Sequence, residues 1–313
     1  MRGENKPRRP LNSGLGRPAD CATGCRYENT MAMSFPPQAF IIGAQKAATT
    51  SLAHLLGQHP AVTMSVPKEP HFFSHHWERG LDWYRGCFPG DGLLIDASTT
   101  YAMAPIHGGA LTTLDPPWGE AVPGRIAQLR PDARFVYVLR SPAERTWSAY
   151  WHTVRYGTET RPFRQAIREN PNYLATSTYS RQIALYLRHF PLERFLFLDF
   201  AAVTAAPDDA ARRVLRFFGV DDDWRPTALD RPLNRTLVLN GPGRVVRAVL
   251  GDHGLAVLSG AARAMVPRAV LDLTARSVAR PVPKMAEEDR RFLKEYFAEE
   301  MERLREVTGI SLA

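Results

Sequence analysis

The chain has 313 residues, 44% of them hydrophobic, enough for one large α/β domain with insertions and with no apolar run near the roughly 18 residues of a membrane span. Its three cysteines cannot complete a disulfide framework, and Cys21 and Cys25 have no second pair to make a zinc site, so a reducing, cytoplasmic setting is expected. The net charge is +8, but 35 of the 40 basic residues are arginines dispersed among acids, the balance of a GC-rich bacterial genome; no nucleic-acid partner is expected, and the field suits collection of an anionic ligand.

Residues 1–34 are polar and Pro/Gly/Arg-rich without an apolar secretory core, and read as a disordered leader in which Met31 or Met33 could equally be the true start; residues 35–313 read as a single domain. Phe40-Ile41-Ile42-Gly43 is a short buried strand that feeds a small-residue turn, and a helix opens near Thr49. Such a turn gathers backbone amides in one concavity at a helix N-terminus, which makes an anion cradle. Lys46 adds a mobile charge, and Thr49, Thr50 and Ser51 add hydroxyls. A P-loop laid on Gly43 would need Gly at position 48 and Lys at 49, where this chain has Ala48 and Thr49. The loop therefore suits a single 5′-phosphate carrying one further group; a buried strand with a capped helix is the structural alternative.

Ala61–Met64 is a strand candidate. Pro67-Lys68-Glu69-Pro70-His71-Phe72-Phe73, between two prolines, is extended or turned and puts Glu69 and His71 on one side of the chain. Glu69 is a candidate general base or, equally, half of a surface pair with Lys68. Gly80–Arg85 begins a short helix with Cys87 packed near its end. Leu93–Asp96 is a buried strand whose acid either holds magnesium, as in P-loop triphosphatases, or caps the turn Ala97-Ser98-Thr99.

Residues 104–124 read as loop and 126–129 as a helical remnant. Arg134–Leu139 is the clearest strand, β-branched and aromatic. It runs into Arg140-Ser141-Pro142-Ala143-Glu144, where Ser141 is a natural N-cap, Pro142 an N1 residue and Glu144 the partner in a capping box. Ser148 lies two turns into that helix, Tyr150, Trp151, Val154 and Tyr156 read as core, and Arg145 and His152 face either solvent or a ligand. Tyr173–His189 reads as a helix, Arg194–Asp199 as a strand, Asp208–Phe218 as an amphipathic helix stopped by Gly219, 245–278 as helical pieces that either pack in the core or form an acceptor-facing, amphiphile-binding surface, and Glu287–Thr308 as one closing helix. The alternation predicts an α/β, P-loop-like three-layer fold with a central, mainly parallel sheet flanked by helices. The Lys46 loop and Arg140 then both lie beyond strand C-termini, where ligands collect in such sheets.

Taken together, the segments Gly43–Ser51, Lys68–Phe73 with Gly80–Tyr84, Leu139–Tyr150, and Tyr179-Ser180-Arg181-Gln182 through Asp199 resemble the sulfotransferases that use 3′-phosphoadenosine 5′-phosphosulfate (PAPS), in the branch of heparan sulfate and many bacterial enzymes. The resemblance implies transfer of a sulfuryl group to a hydroxyl or amine of a small metabolite or glycan, releasing 3′-phosphoadenosine 5′-phosphate (PAP), without a metal. It assigns Gln45, Lys46, Ala47, Ala48, Thr49, Thr50 and Ser51 to the 5′-phosphosulfate, with Lys46 neutralising charge on the bridging oxygen. It makes Glu69 the base, with Lys68 steadying the sulfuryl group and His71 able to share the work. Arg140 and Ser148 would hold the 3′-phosphate, Tyr179 would join the donor site, and Arg235, with Asn234 and Arg244, is a candidate for the basic covering loop. Carbohydrate-acting members often have Glu-Lys-Ser-Pro where this chain has Asp96-Ala97-Ser98-Thr99, so their second catalytic lysine is missing here. Two other classes stand as alternatives: a P-loop small-molecule kinase using ATP and magnesium through Lys46, Thr50 and Asp96, and a non-enzymatic polyanion binder.

Overall fold

The computed structural model describes residues 35–104, 118–221, 223–224, 237–239 and 279–312. Five parallel strands form its main sheet: β1 (Ala39–Gly43), β2 (Val62–Met64), β3 (Leu93–Asp96), β4 (Arg134–Leu139) and β5 (Phe195–Asp199). Their order is β2-β3-β1-β4-β5, and β1 pairs with β3 on one side and β4 on the other. The expected parallel α/β sheet is therefore present. β1, β3 and β4 are near-continuous apolar runs because helices cover the sheet; Phe40, Ile41, Ile95, Phe135, Val136 and Val138 are fully buried. The chain leaves β1 toward β2 and leaves β4 toward β5, so a topological switch point opens beyond the carboxyl ends of β1 and β4.

Gly43 is required there by contact rather than by dihedral angle. A Cβ on it would lie 2.8 Å from Cε2 of Tyr137, and the β1–β4 register shifts between Ile41 and Gly43 as the strand bends into its loop.

Helix α1 (Thr49–Leu56) follows that loop, α3 (Gly80–Arg85) precedes β3 and α5 (Pro142–Tyr156) follows β4, as the sequence suggests, whereas the short helix α2 (Phe72–His75) begins inside the stretch expected to be extended or turned. Helix α10 (Pro207–Phe218) ends at Gly219, whose φ of 78° takes the left-handed C-terminal position. Cys87 is a buried thiol.

Several expectations are corrected. The remnant at 126–129 belongs to a full helix, α4 (Trp118–Leu129), which continues through Pro123 at the loss of one intrahelical bond; buried Val122 and Ile126, four residues apart, give the helix its inward face. The helix expected over Tyr173–His189 breaks into α7 (Asn172–Ala175) and α8 (Tyr179–Leu187). At the break, the hydroxyls of Thr176, Ser177 and Thr178 donate to the carbonyls of Asn172, Tyr173 and Leu174, competing with the helix ladder. The closing helix is two, Glu287–Tyr296 and Ala298–Thr308, separated at Phe297, whose buried ring turns into the core. No side-chain capping box forms at Ser141; Glu144 pairs with Arg290 and faces Arg140 instead.

Helices α6 (Phe163–Glu169) and α9 (Phe200–Ala205) complete the described helices, the latter capped by the Asp199 carboxylate on the amide of Ala201. A separate antiparallel pair joins β6 (Leu237–Leu239) to β7 (Ala279–Pro281), two segments in which the sequence suggests no strand. The leader 1–34 and the helical pieces at 245–278 lie outside the described residues.

Candidate active site

At the switch point a cleft of about 870 Å³ is walled by the β1–α1 loop, the segment before α2, the turn after β3, the end of β4, the inner face of α5 and α9. Ten of the residues singled out from sequence line it: Gln45, Lys46, Ala48, Thr49, Thr50, Ser51, Glu69, His71, Arg140 and Ser148. They come from four separate segments.

The loop has the geometry of an anion nest. Lys46 and Ala48 have φ of 73° and 61°, left-handed values unusual outside glycine, and they alternate across the turn into α1. Strained non-glycine backbone of this kind persists where its surroundings over-determine it. Here Arg140 Nη1 donates to the Lys46 carbonyl at 3.0 Å, and Arg145, fully buried, donates to the Gln45 carbonyl and to the hydroxyls of Thr176 and Ser177. The loop's amide contribution is smaller than expected: Ala47 is buried outside the cleft, with its amide donated to the Ala44 carbonyl at 3.0 Å.

Cations converge on this loop. Burial lowers the Lys46 ammonium to a pKa of about 8, and Arg155, Arg140 and Arg145 push it the same way. Their mutual repulsion is the arrangement an anionic ligand would relieve. The guanidinium of Arg140 also lies 4.7 Å from the centroid of the Phe200 ring, at the cleft wall.

Opposite the loop stands Glu69. Lys68 Nζ donates to its Oε1 at 2.8 Å, and Thr99 donates to Oε2 from both amide, at 3.1 Å, and hydroxyl, at 2.8 Å. Burial drives the carboxyl upward, but the Lys68 charge and these hydrogen bonds outweigh it and hold Glu69 below the ordinary glutamate value. It is therefore an ionised acceptor at neutral pH. Lys68 itself is not part of the cleft lining and bridges Glu69 to the Thr49 hydroxyl at 3.4 Å. His71 shares a bond of 2.9 Å between Nδ1 and Thr100 Oγ1, and burial lowers its pKa.

Tyr179 does not reach the cleft. Fully buried against Tyr137, it donates its hydroxyl to the Arg140 carbonyl at 2.9 Å and braces the end of β4 from below. Asp96 is likewise sealed in the core, bonded to Tyr84, Tyr101 and Ser98, so the magnesium ligand required by a kinase does not face Lys46 or Thr50. Trp83 is half-buried, and Phe72 and Tyr101 are core rather than cleft wall. Arg235, Asn234 and Arg244 lie outside the described residues. Among the described residues no group of three His, Cys, Asp or Glu side chains could hold a metal ion, and no helix is long and apolar enough to cross a membrane.

The cleft also contains residues the sequence reading missed. Arg155 and Tyr156 line it beside His152 and Ser148, so Tyr156 is wall rather than core. Ser148, His152 and Arg155 are spaced i, i+4, i+7 on one face of α5, a periodicity that could have found them once Ser148 was placed. His152 Nδ1 is buried without a hydrogen-bond partner among the described residues, and burial with the charges of Lys46 and Arg155 lowers its pKa to about 4. Thr99 and Thr100, and Phe200, Val203, Thr204 and Pro207 after β5, carried no sequence signal of their own.

A family model described as a sulfotransferase family matches residues 37–226, which contain every element of this cleft. The chain is 32% identical over 192 residues to mouse and human heparan sulfate glucosamine 3-O-sulfotransferase 6, an overlap covering 59% of this chain and 52% of those proteins. It is 30% identical over 204 residues to the human bifunctional heparan sulfate N-deacetylase/N-sulfotransferase 2, covering 59% of this chain and 22% of that one. The chain thus spans about half the length, or less, of these curated relatives. Its fold is also that of the crystal structure of a sulfotransferase from Alicyclobacillus acidocaldarius, with a TM-score of 0.61 at 23% identity, covering 88% of this chain and 97% of the other. With the family model matching well over half of its length and the fold in agreement, the chain belongs to the sulfotransferase family.

Proposed function

We propose that this protein is a cytoplasmic, PAPS-dependent sulfotransferase acting on a hydroxyl or amine of a small metabolite or glycan. The observation that carries the reading is the meeting, in one cleft, of two separate sets of anion ligands with an ionised carboxylate facing them. The residues present fit the donor. Lys46, Thr49, Thr50 and Ser51 offer a charge and three hydroxyls at a helix N-terminus for the 5′ end, and Arg140 and Ser148 offer a guanidinium and a hydroxyl for a 3′-phosphate. When bound, PAPS supplies an activated sulfuryl group on a phosphate leaving group.

Glu69 takes the proton from the acceptor hydroxyl or amine as its oxygen or nitrogen becomes nucleophilic. Lys46 is placed to neutralise negative charge growing at the 5′-phosphate, where its effect is greatest in a half-buried cleft. Lys68 keeps Glu69 ionised and oriented, and the Thr99 hydroxyl and amide fix its other oxygen.

Calorimetric titration with PAP tests the donor site directly. Wild-type protein is expected to bind PAP without magnesium, and Lys46→Ala and Arg140→Ala are each expected to weaken it. Indifference of the wild type to PAP, or ATP binding that depends on magnesium and resists PAP, would overturn the reading. Retention of salt-sensitive heparin or DNA binding by Lys46→Ala, with no PAP binding, would favour a polyanion-binding protein instead.

A further inference from the structure

Beyond the end of β3 the chain makes a short buried turn, and its hydrogen bonds run in one direction. Asp96, at the end of β3, is fully buried and accepts four donors: the Ser98 amide at 2.9 Å and hydroxyl at 2.6 Å on Oδ1, and the hydroxyls of Tyr84 and Tyr101, both at 2.7 Å, on Oδ2. Four donors leave this carboxyl acting purely as an acceptor. Burial raises its pKa and the four bonds pull it back.

The groups that Asp96 fixes are those that hold the candidate base. Ser98 Oγ, having donated to Asp96, accepts the backbone amide of His71 at 3.0 Å. Thr99, next in the same turn, supplies both bonds to Glu69 Oε2. Thr100 holds the His71 ring through Nδ1 at 2.9 Å and the Ser74 hydroxyl at 2.8 Å. On the far side, Tyr101 receives the Phe73 amide at 3.3 Å, so α2 is pinned to the same turn. His71 sits at φ 54°, a left-handed value uncommon outside glycine, and both its amide and its ring are held by this turn.

We propose that Asp96 is a positioning residue for sulfuryl transfer: buried beneath the cleft and touching no ligand, it locks residues 98–100 in the turn that aims Glu69 and His71. The inference rests on the reading of Glu69 as the base given above. Ser98 is the relay toward His71, and Thr99 is the contact with Glu69. From this turn one hydroxyl and one amide, both of Thr99, orient the base, with Lys68 on its other oxygen. Ala97 is itself fully buried and lies outside the cleft lining.

The test reads the base itself. Full-length protein labelled with 13C at glutamate carboxyls is titrated by NMR, with Glu69→Gln giving the assignment, in the wild type, Asp96→Asn and Ser98→Ala. Asparagine keeps the shape of Asp96 but turns one acceptor into a donor facing two tyrosine hydroxyls. Ser98→Ala leaves Asp96 intact and removes only the relay, so it keeps the test open if Asp96→Asn does not fold.

Expected is a Glu69 midpoint moved upward by several tenths of a unit to about one unit in each variant, as its hydrogen bonds loosen, with PAP affinity unchanged from wild type. A lowered melting temperature with Glu69 titrating at the wild-type midpoint would overturn the proposal and leave Asp96 a core residue only. Failure of the wild type to bind PAP would sink the functional reading while the titration still decided whether Asp96 sets Glu69.

Discussion

Arg140 reaches from the end of β4 to the loop after β1 and donates to the carbonyl of Lys46 at 3.0 Å. One guanidinium thereby spans the switch point, belonging to the second anion site by its strand and to the first by its hydrogen bond. Tyr179 anchors it from beneath through its own carbonyl. The two halves of the proposed donor site are therefore joined by hydrogen bonds within the protein itself.

Arg140→Ala and Ser148→Ala should consequently differ in kind. Ser148→Ala removes one hydroxyl and is expected to weaken PAP by about 1 kcal/mol, roughly fivefold, while leaving adenosine 5′-phosphosulfate, which lacks the 3′-phosphate, unaffected. Arg140→Ala is expected to cost about 2–3 kcal/mol for PAP and to weaken the shorter ligand as well, because the Lys46 loop loses its brace. Calorimetry with both ligands separates the two.

Glu69→Gln should lower sulfuryl transfer by about two to four orders of magnitude while PAP still binds, since the amide cannot take the acceptor's proton. His71→Ala is expected to cost far less. Single-turnover transfer from labelled PAPS to a panel of alcohols, phenols and amines measures both; the reverse ranking would exchange the two roles.

The Thr99 hydroxyl bond to Glu69 favours the ionised carboxylate, so its removal raises the pKa. Thr99→Val is expected to shift the acid limb of the pH–rate profile upward by about one unit, because the base now stays protonated to a higher pH. Activity well above that limb should be nearly preserved.

Lys46 should be a liability to the empty protein. Its pKa of about 8 in the folded state lies below the 10.5 of a free lysine, so the native state binds fewer protons than the unfolded one between those values. Its cost is therefore fully present below about pH 8 and fades as pH rises toward the unfolded value. Lys46→Met is expected to stabilise the ligand-free protein by about 1 kcal/mol at neutral pH, after allowance for its partial exposure, and by less near pH 10. Urea midpoints at the two pH values provide the check, and the same variant should lose PAP binding.

Much of this was legible in the chain because its strands are unambiguous. The Phe40–Gly43 and Arg134–Leu139 runs are apolar enough to be central, and a parallel sheet puts Lys46 and Arg140 at the same edge; that they are neighbours follows from the direct pairing of β1 with β4, which the sequence does not specify. Glu69 and His71 could be named from the segment between two prolines. Their holders could not: Thr99 and Thr100 are ordinary hydroxyls until β3 pairs with β2 and brings Thr99 to Glu69 and Thr100 to His71, contacts across 30 and 29 residues of sequence. The same is true of Arg145, whose partners at Thr176 and Ser177 exist only because three hydroxyls break a helix that periodicity alone predicts as continuous. Tyr179 was assigned to the ligand because its motif lies near the site, but a phenol this deep in the core serves the strand instead.

Helix α5 works as a ruler. Starting from the fixed end at Pro142, each residue advances about 1.5 Å and turns about 100°, so Ser148, His152 and Arg155 fall within one narrow arc at set intervals along the cleft. One residue added or deleted between Pro142 and Ser148 would swing all three out of phase together. The spacing of this wall of the cleft is thus written in the phase of a single helix.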